Sequence, residues 1–306
     1  MSLRVAFVNL WGGFEKDSAF LVRVMRDIDP DCDVSLGYDS TKQYDLVISI
    51  MVPIKGSPYY ADMTQVKGKK LCFTGESYDL ITTTPGCDAY IGFDYVEDMI
   101  GDYKYMRFPL YGLYHQDHLH RYGCSSFDEL RTKFYVKDPI KKYSAVVSNP
   151  SNTLRTTLLQ FLTQNNLCNS GGSVMNNLGA AIGWEFDAKM NLTANCMYAI
   201  TFENKIKRGY VTEKIYEGFM AGAVPYYWGT CDVVNEFNPK SYFVFDCSTQ
   251  ENINSSVKTM IDRLEDRKTF DEMRSIDPFV GFHSEKYIKD GWEIMKSFIM
   301  NLLESQ

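Results

Sequence analysis

Residues 200–215, ITFENKIKRGYVTEKI, hold the densest cluster of chemistry-bearing side chains in the chain. An apolar strand ends at Glu203 and Asn204, a basic loop containing Gly209 follows, and a helix starts near Thr212, a good N-cap residue. Free backbone N–H groups and the positive end of the helix dipole make such a helix start an anion site. Lys205, Lys207, Arg208 and Lys214 add positive charge there, on a chain whose net charge is −7. Phosphate binding is the expected chemistry. Glu213, in the first turn, either complements the helix dipole or accepts the two hydroxyls of a ribose.

Other groupings are weaker. Asp31-Cys-Asp33 is a DxD, a pattern that binds metal and sugar nucleotides in some transferases, but two residues recur by chance. His115, His118 and His120 with Asp117 have a spacing that lets imidazoles share an ion, yet no cysteine stands near them. No metal site is expected at either place. The eight cysteines contain no CxxC pair and read as reduced thiols. The sequons at Asn191 and Asn254 carry little weight.

Elements that would position the cluster follow from the apolar pattern. In the first half Arg4–Trp11, Tyr44–Ile50, Lys70–Thr74 and Tyr90–Phe93 read as buried strands, with an amphipathic helix over Ser18–Ile28. From Pro109 to Lys142 the pattern dissolves, which predicts an interdomain segment. A second series has strands at Ala145–Ser148, Ala199–Phe202 and Ala223–Trp228, and helices at Leu154–Leu162 and Thr212–Ala221. Strands alternating with helices, twice over, predict two α/β domains facing a central cleft, with ligands beyond the carboxyl ends of the strands. Ile288, Trp292, Met295, Ile299 and Leu302 are spaced as one helical face.

FEN-x5-YVTEK (residues 202–214), followed by AGAVPYYWG (221–229), closely resembles the signature of the alpha-1,3/1,4-fucosyltransferases, inverting enzymes that use GDP-fucose. RVAFVNLWG (4–12), FTGES (73–77), YIGFD (90–94), YMRFPL (105–110), SNP (148–150) and SGGSV (170–174) resemble further family motifs in the same order, over roughly residues 4 to 245. The resemblance implies the GT-B fold of two Rossmann-like domains. Its general base falls on Glu76, and its donor-binding residues on Arg155, Asn204, Tyr210, Glu213 and Lys214. The implied acceptor hydroxyl is O3 of GlcNAc or Glc in a Lewis-type or related oligosaccharide. No cofactor beyond the donor is implied, and divalent metal is expected to be dispensable. The loop Lys205-Ile-Lys-Arg208 is more basic than is usual in the family, and the membrane anchor, heptad repeats and basic tail of some members are not seen in this sequence.

The expected organisation is an acceptor-binding domain over 1–143, a GDP-fucose domain over 144–280, and a helix in 281–306 that packs back on the first domain. Lys plus Arg number 32 and Asp plus Glu 39, so no global basic field exists to hold nucleic acid. No run approaches the ~18–20 apolar residues of a membrane span, nothing supports peripheral membrane contact, and a cytoplasmic location is expected. Met1-Ser2-Leu3 reads as an expression remnant, which leaves a native leader ahead of it an open question. Two rivals share these features: a GT-B transferase using another GDP-sugar, and a catalytically silent GDP-sugar or glycan-binding protein. Glu76 argues against the second, since a binding module needs no base there.

Overall fold

Short runs that are apolar on both faces suit parallel strands covered by helices above and below. Val5–Val8, Leu46–Ser49, Leu71–Phe73 and Ala89–Gly92 are such runs, and all are buried. The computed structural model describes residues 2–99, 101–183 and 185–305. They form two compact units. One comprises the described residues up to Asp117 with those from Lys286 onward, and the other His118–Glu285.

The first unit holds β1 (Arg4–Val8), α1 (Phe20–Ile28), β2 (Asp33–Leu36), β3 (Leu46–Ser49), β4 (Lys69–Phe73), α2 (Leu80–Thr83), β5 (Ala89–Gly92) and β6 (Lys104–Arg107). Its sheet is wholly parallel in the order β2-β1-β3-β4-β5-β6. Asn9, at φ 51°, ends β1 and ties the β3–β4 connection to it. Its amide accepts from Ala61 N at 3.0 Å and donates to Ala61 O at 3.1 Å and Ser49 Oγ at 2.9 Å. The terminal helix docks on this unit from Lys286 on. Trp292 Nε1 and Lys296 Nζ both reach Asp27 at 3.0 Å, and Lys69 Nζ takes the Leu302 carbonyl at 2.8 Å.

Two helices fill the stretch expected to be irregular, α3 (Leu110–Tyr122) and α4 (Phe127–Phe134). Buried positions of α3 are occupied by His115, Gln116 and His118, so the apolar period that would announce a helix is missing. The division between units falls after Asp117, earlier than the 143/144 boundary expected. The reason is packing: Phe127 of α4 meets Phe279 edge-on at 4.7 Å, Leu130 is buried, and Arg274 donates to the Val136 carbonyl at 2.8 Å.

The second unit continues with β7 (Ile140–Ala145), α5 (Thr153–Gln164), β8 (Cys168–Ser170), α6 (Phe186–Ala194), β9 (Cys196–Phe202), α7 (Glu213–Met220) and β10 (Val224–Trp228). It ends with α8 (Val233–Glu236), β11 (Phe243–Val244), α9 (Gln250–Arg263), α10 (Arg267–Ser275) and the start of α11 (His283–Glu304). The sheet order is β11-β10-β9-β7-β8, again parallel. Its core is built on tyrosines. Tyr143 and Tyr198 stack at 5.3 Å, and their hydroxyls donate to the Met260 and Arg263 carbonyls at the end of α9, at 2.9 and 3.0 Å. Burying a tyrosine requires such a partner for its O–H. Among the described residues no helix is long and apolar enough to cross a membrane.

Candidate functional site

In the second sheet the chain leaves β7 toward β8 on one side and returns to β9 on the other. The carboxyl ends of β7 and β9 therefore flank the point where strand order reverses, the usual ligand crevice of such sheets. Two loops leave it, one from β7 into α5 and one from β9 into α7. A third segment lines it, where Gly171 N and Val174 N donate to the Ala145 and Val147 carbonyls, both at 2.9 Å. Only glycine fits at 172, because a Cβ there would lie 2.1 Å from Val147 O.

All seven residues of β9 are buried, and the strand delivers Glu203 and Asn204 at its end. Glu203 has no solvent exposure. Its Oε1 accepts the Thr212 N–H at 2.8 Å, and its Oε2 accepts the Thr212 hydroxyl at 2.8 Å and Lys214 Nζ at 3.2 Å. Thr212 is the N-cap of α7, so strand end and helix start are locked together. Gly209, at φ 74°, turns the intervening loop back, and its N–H donates to Asp232 at 2.9 Å. Tyr210 is buried beside the cluster.

Lys214 Nζ lies 3.0 Å from Thr212 Oγ1 and 3.5 Å from Glu213 Oε1. Burial opposes its charge, but Glu203, Glu213 and Tyr210 hold it protonated well above the ordinary lysine range. Burial pushes the Glu203 carboxyl up, against the pull of Lys214. Burial also penalises ionised Glu213, yet Lys214 and Lys189 outweigh it and keep that carboxyl below its usual value. Glu213 Oε2 is buried without a hydrogen-bond partner among the described residues.

Arg155 sits in the first turn of α5, 3 % exposed. One terminal nitrogen donates to the Phe202 carbonyl at 3.1 Å and Asn204 Oδ1 at 3.0 Å, the other to the Asn149 carbonyl at 2.7 Å. Burial draws its pKa down, offset by Glu203 and Tyr210. The structure thus joins Arg155 directly to Asn204, and Lys214 to Glu213. The sequence reading missed Glu203 as their organiser. The available signal was a carboxylate directly after the largely apolar run CMYAITF, which must find a partner.

Lys189 and Glu217 were also missed. They form an ion pair from α6 to α7, with His118 Nε2 4.0 Å from Glu217. Lys189, Glu217, Arg155 and Lys214 all line a cavity of about 50 Å³ beneath the crevice. Of the basic loop, Lys205 and Arg208 are exposed.

In the first unit Glu76 lies in the turn after β4. Its N–H donates to Thr74 Oγ1 at 3.1 Å and its carbonyl accepts Tyr78 N–H at 2.8 Å. The carboxylate is exposed, with no hydrogen-bond partner among the described residues, so Glu76 is no cap. Trp11, 44 % exposed, stands beyond the end of β1, edge-on to Phe14 at 5.2 Å. Asp31 and Asp33 flank the start of β2, and Asp117 pairs with Arg23 at 2.7 Å. Of the histidines on α3, His120 is exposed, and burial lowers His115 to about 4. Among the described residues no three His, Cys, Asp or Glu side chains gather as metal ligands.

Residues 138–269 match the family model for glycosyltransferase family 10 (fucosyltransferase), C-terminal domain. The chain is 31% identical over 153 residues to the alpha-(1,3)-fucosyltransferase FucT of Helicobacter pylori, a match spanning 48% of this chain and 30% of that protein. An alpha1,3-fucosyltransferase crystal structure with GDP-fucose superposes at a TM-score of 0.70, with 22% identity, over 100% of this chain and 91% of its own. A second alpha1,3-fucosyltransferase structure gives 0.72 at 21% identity with the same coverage. The fold is therefore the GT-B pair of Rossmann-like domains.

Proposed function

We propose that the chain, whose residues 138–269 match the glycosyltransferase family 10 (fucosyltransferase) model, transfers L-fucose from GDP-fucose to a glycan hydroxyl with inversion. The favoured acceptor position is O3 of GlcNAc or Glc. The observation that carries the reading is the start of α7, where Thr212, Glu213 and Lys214 meet the end of β9 at the reversal point of the sheet.

In this reaction the acceptor oxygen bonds to the anomeric carbon as the bond from that carbon to the diphosphate breaks, its electron pair leaving with GDP. The acceptor proton passes to Glu76, whose exposed carboxylate is not spent on the fold. Charge growing on the diphosphate falls to Lys214, Arg155 and the positive end of the α7 dipole. Glu213 Oε2, buried and unpartnered, suits a ribose hydroxyl. Asn204 and Tyr210 complete the donor pocket, and Trp11 offers an exposed ring for the acceptor sugar.

Ligand that binds only the folded state stabilises it by RT ln(1 + [L]/Kd), about 2.7 kcal/mol at a hundredfold excess over Kd. GDP should raise the melting temperature and UDP should not, by thermal shift on the purified chain. Equal stabilisation by UDP overturns the donor assignment. Fucose is separated from other sugars by comparing transfer from GDP-fucose and GDP-mannose.

Transfer should survive EDTA, because Lys214, Arg155 and a helix terminus together supply the positive charge that a divalent ion gives elsewhere. Activity that vanished with EDTA and returned only with Mn²⁺ would sink this reading. It would direct attention to Asp31, Asp33 or the α3 histidines.

A further inference from the structure

We propose that Glu203 is a positioning residue of the donor site, holding the Lys214 ammonium so that one of its N–H groups is handed to a diphosphate oxygen. The inference rests on the reading that this unit binds a nucleoside diphosphate sugar.

Glu203 is fixed by its backbone before its side chain acts. Its N–H donates to the Trp228 carbonyl at 2.8 Å, extending the β9–β10 ladder, and its carbonyl accepts Asn152 Nδ2 at 3.1 Å. Gly229 leaves room for it, since a Cβ there would lie 2.9 Å from Glu203 Cγ. From that anchor the carboxylate binds Thr212 twice and Lys214 once.

An ammonium has three N–H groups. At Lys214 two face Glu203 Oε2 at 3.2 Å and Thr212 Oγ1 at 3.0 Å, and both acceptors are held by the strand end. The third faces Glu213 Oε1 at 3.5 Å, the loosest contact of the three. A phosphate oxygen arriving at the helix start takes this third N–H. Glu213 is then released, with its already unpartnered Oε2, to accept from the ribose. Glu203 thus acts through Lys214 and touches no substrate.

A double-mutant cycle on the full chain tests this. Glu203→Gln, Lys214→Ala and the double variant are titrated with GDP by calorimetry, and each is melted without ligand. Glu203→Gln keeps one acceptor oxygen, enough for the Thr212 N–H, and puts an NH2 where Oε2 accepted the Thr212 hydroxyl and Lys214, so the charge that seats Lys214 is removed. Losing one charge-assisted contact should weaken GDP about tenfold. Because Glu203 acts through Lys214, the double variant should bind GDP no more weakly than Lys214→Ala alone. A purely structural role would instead lower the melting temperature and weaken GDP by the same factor in both backgrounds, which overturns the proposal, as does wild-type GDP affinity in Glu203→Gln. If Glu203→Gln does not fold, Glu203→Asp, which keeps the charge but retracts it by a methylene, goes through the same cycle with the same criteria. Wild-type protein that binds no GDP overturns the donor reading itself, a result distinct from additivity within the cycle.

Discussion

Replacing Glu76 by Gln should lower kcat by about 10²- to 10⁴-fold while GDP affinity and melting temperature stay at wild-type values. The two carboxylate oxygens have no hydrogen-bond partner among the described residues and the side chain is exposed, so an isosteric amide disturbs no packing. The amide cannot take a proton from the attacking hydroxyl. That interaction exists only as the acceptor proton moves, so its loss appears in kcat, with acceptor KM little changed. The stated range corresponds to roughly 2.7–5.4 kcal/mol of transition-state stabilisation.

Glu76→Asp should fall between the two, because the base is present but withdrawn. Gly75 bears on the aim of this turn, since a Cβ there would lie 2.4 Å from Leu110 Cδ1 and would force turn or leucine to shift. Near wild-type turnover by Glu76→Gln would remove Glu76 from the mechanism and leave the donor side standing. A loss of melting temperature matching the loss of rate would return it to a structural role.

Elements whose burial is continuous were legible in the sequence. LVIS at β3 and the apolar end of KKLCF at β4 read as strands because parallel strands are covered on both faces. The terminal helix read as a helix because Met295, Ile299 and Leu302 keep one face. What escaped notice was hidden by polar residues in buried places. His115, Gln116 and His118 broke the period of α3, and three-residue β8 (Cys-Asn-Ser) is too short to show a pattern. At the site the motif spacing put Asn204 at a strand end and Glu213 and Lys214 at the helix start that follows it. Spacing carries no information on which charges become buried. The loop cations Lys205 and Arg208 drew attention, whereas Lys189, far off in sequence, is the one paired with Glu217 under the crevice. Glu203 stayed unread because a carboxylate at a strand end looks like surface until its partners nine and eleven residues later fold back on it.

Arg155→Ala should be the most destabilising of the site substitutions and should also weaken GDP. The guanidinium is 3 % exposed and bridges three groups: the Phe202 carbonyl and Asn204 Oδ1 from one nitrogen, the Asn149 carbonyl from the other. Truncation leaves the Phe202 carbonyl at the end of β9 and the Asn149 carbonyl in the loop before α5 without this donor, and an orphaned buried acceptor such as the first costs about 1–3 kcal/mol. Relief of the desolvation that Arg155 suffers returns part of this, so a net loss of about 3 kcal/mol is expected. At roughly 2–4 °C per kcal/mol for a domain of this size, the melting temperature should drop by about 6–12 °C. GDP affinity should fall at least tenfold even well below that temperature, because Asn204 loses its tether and the crevice loses a cation. Arg155→Lys separates the two contributions. It keeps the charge but lacks the planar fork that reaches both carbonyls, so it should regain part of the affinity and little of the stability. Melting by differential scanning calorimetry and GDP titration on the same preparations decide the matter. An unchanged melting temperature in Arg155→Ala would mean that the three hydrogen bonds do not hold the end of β9 to the loop before α5, and that Arg155 serves the ligand alone.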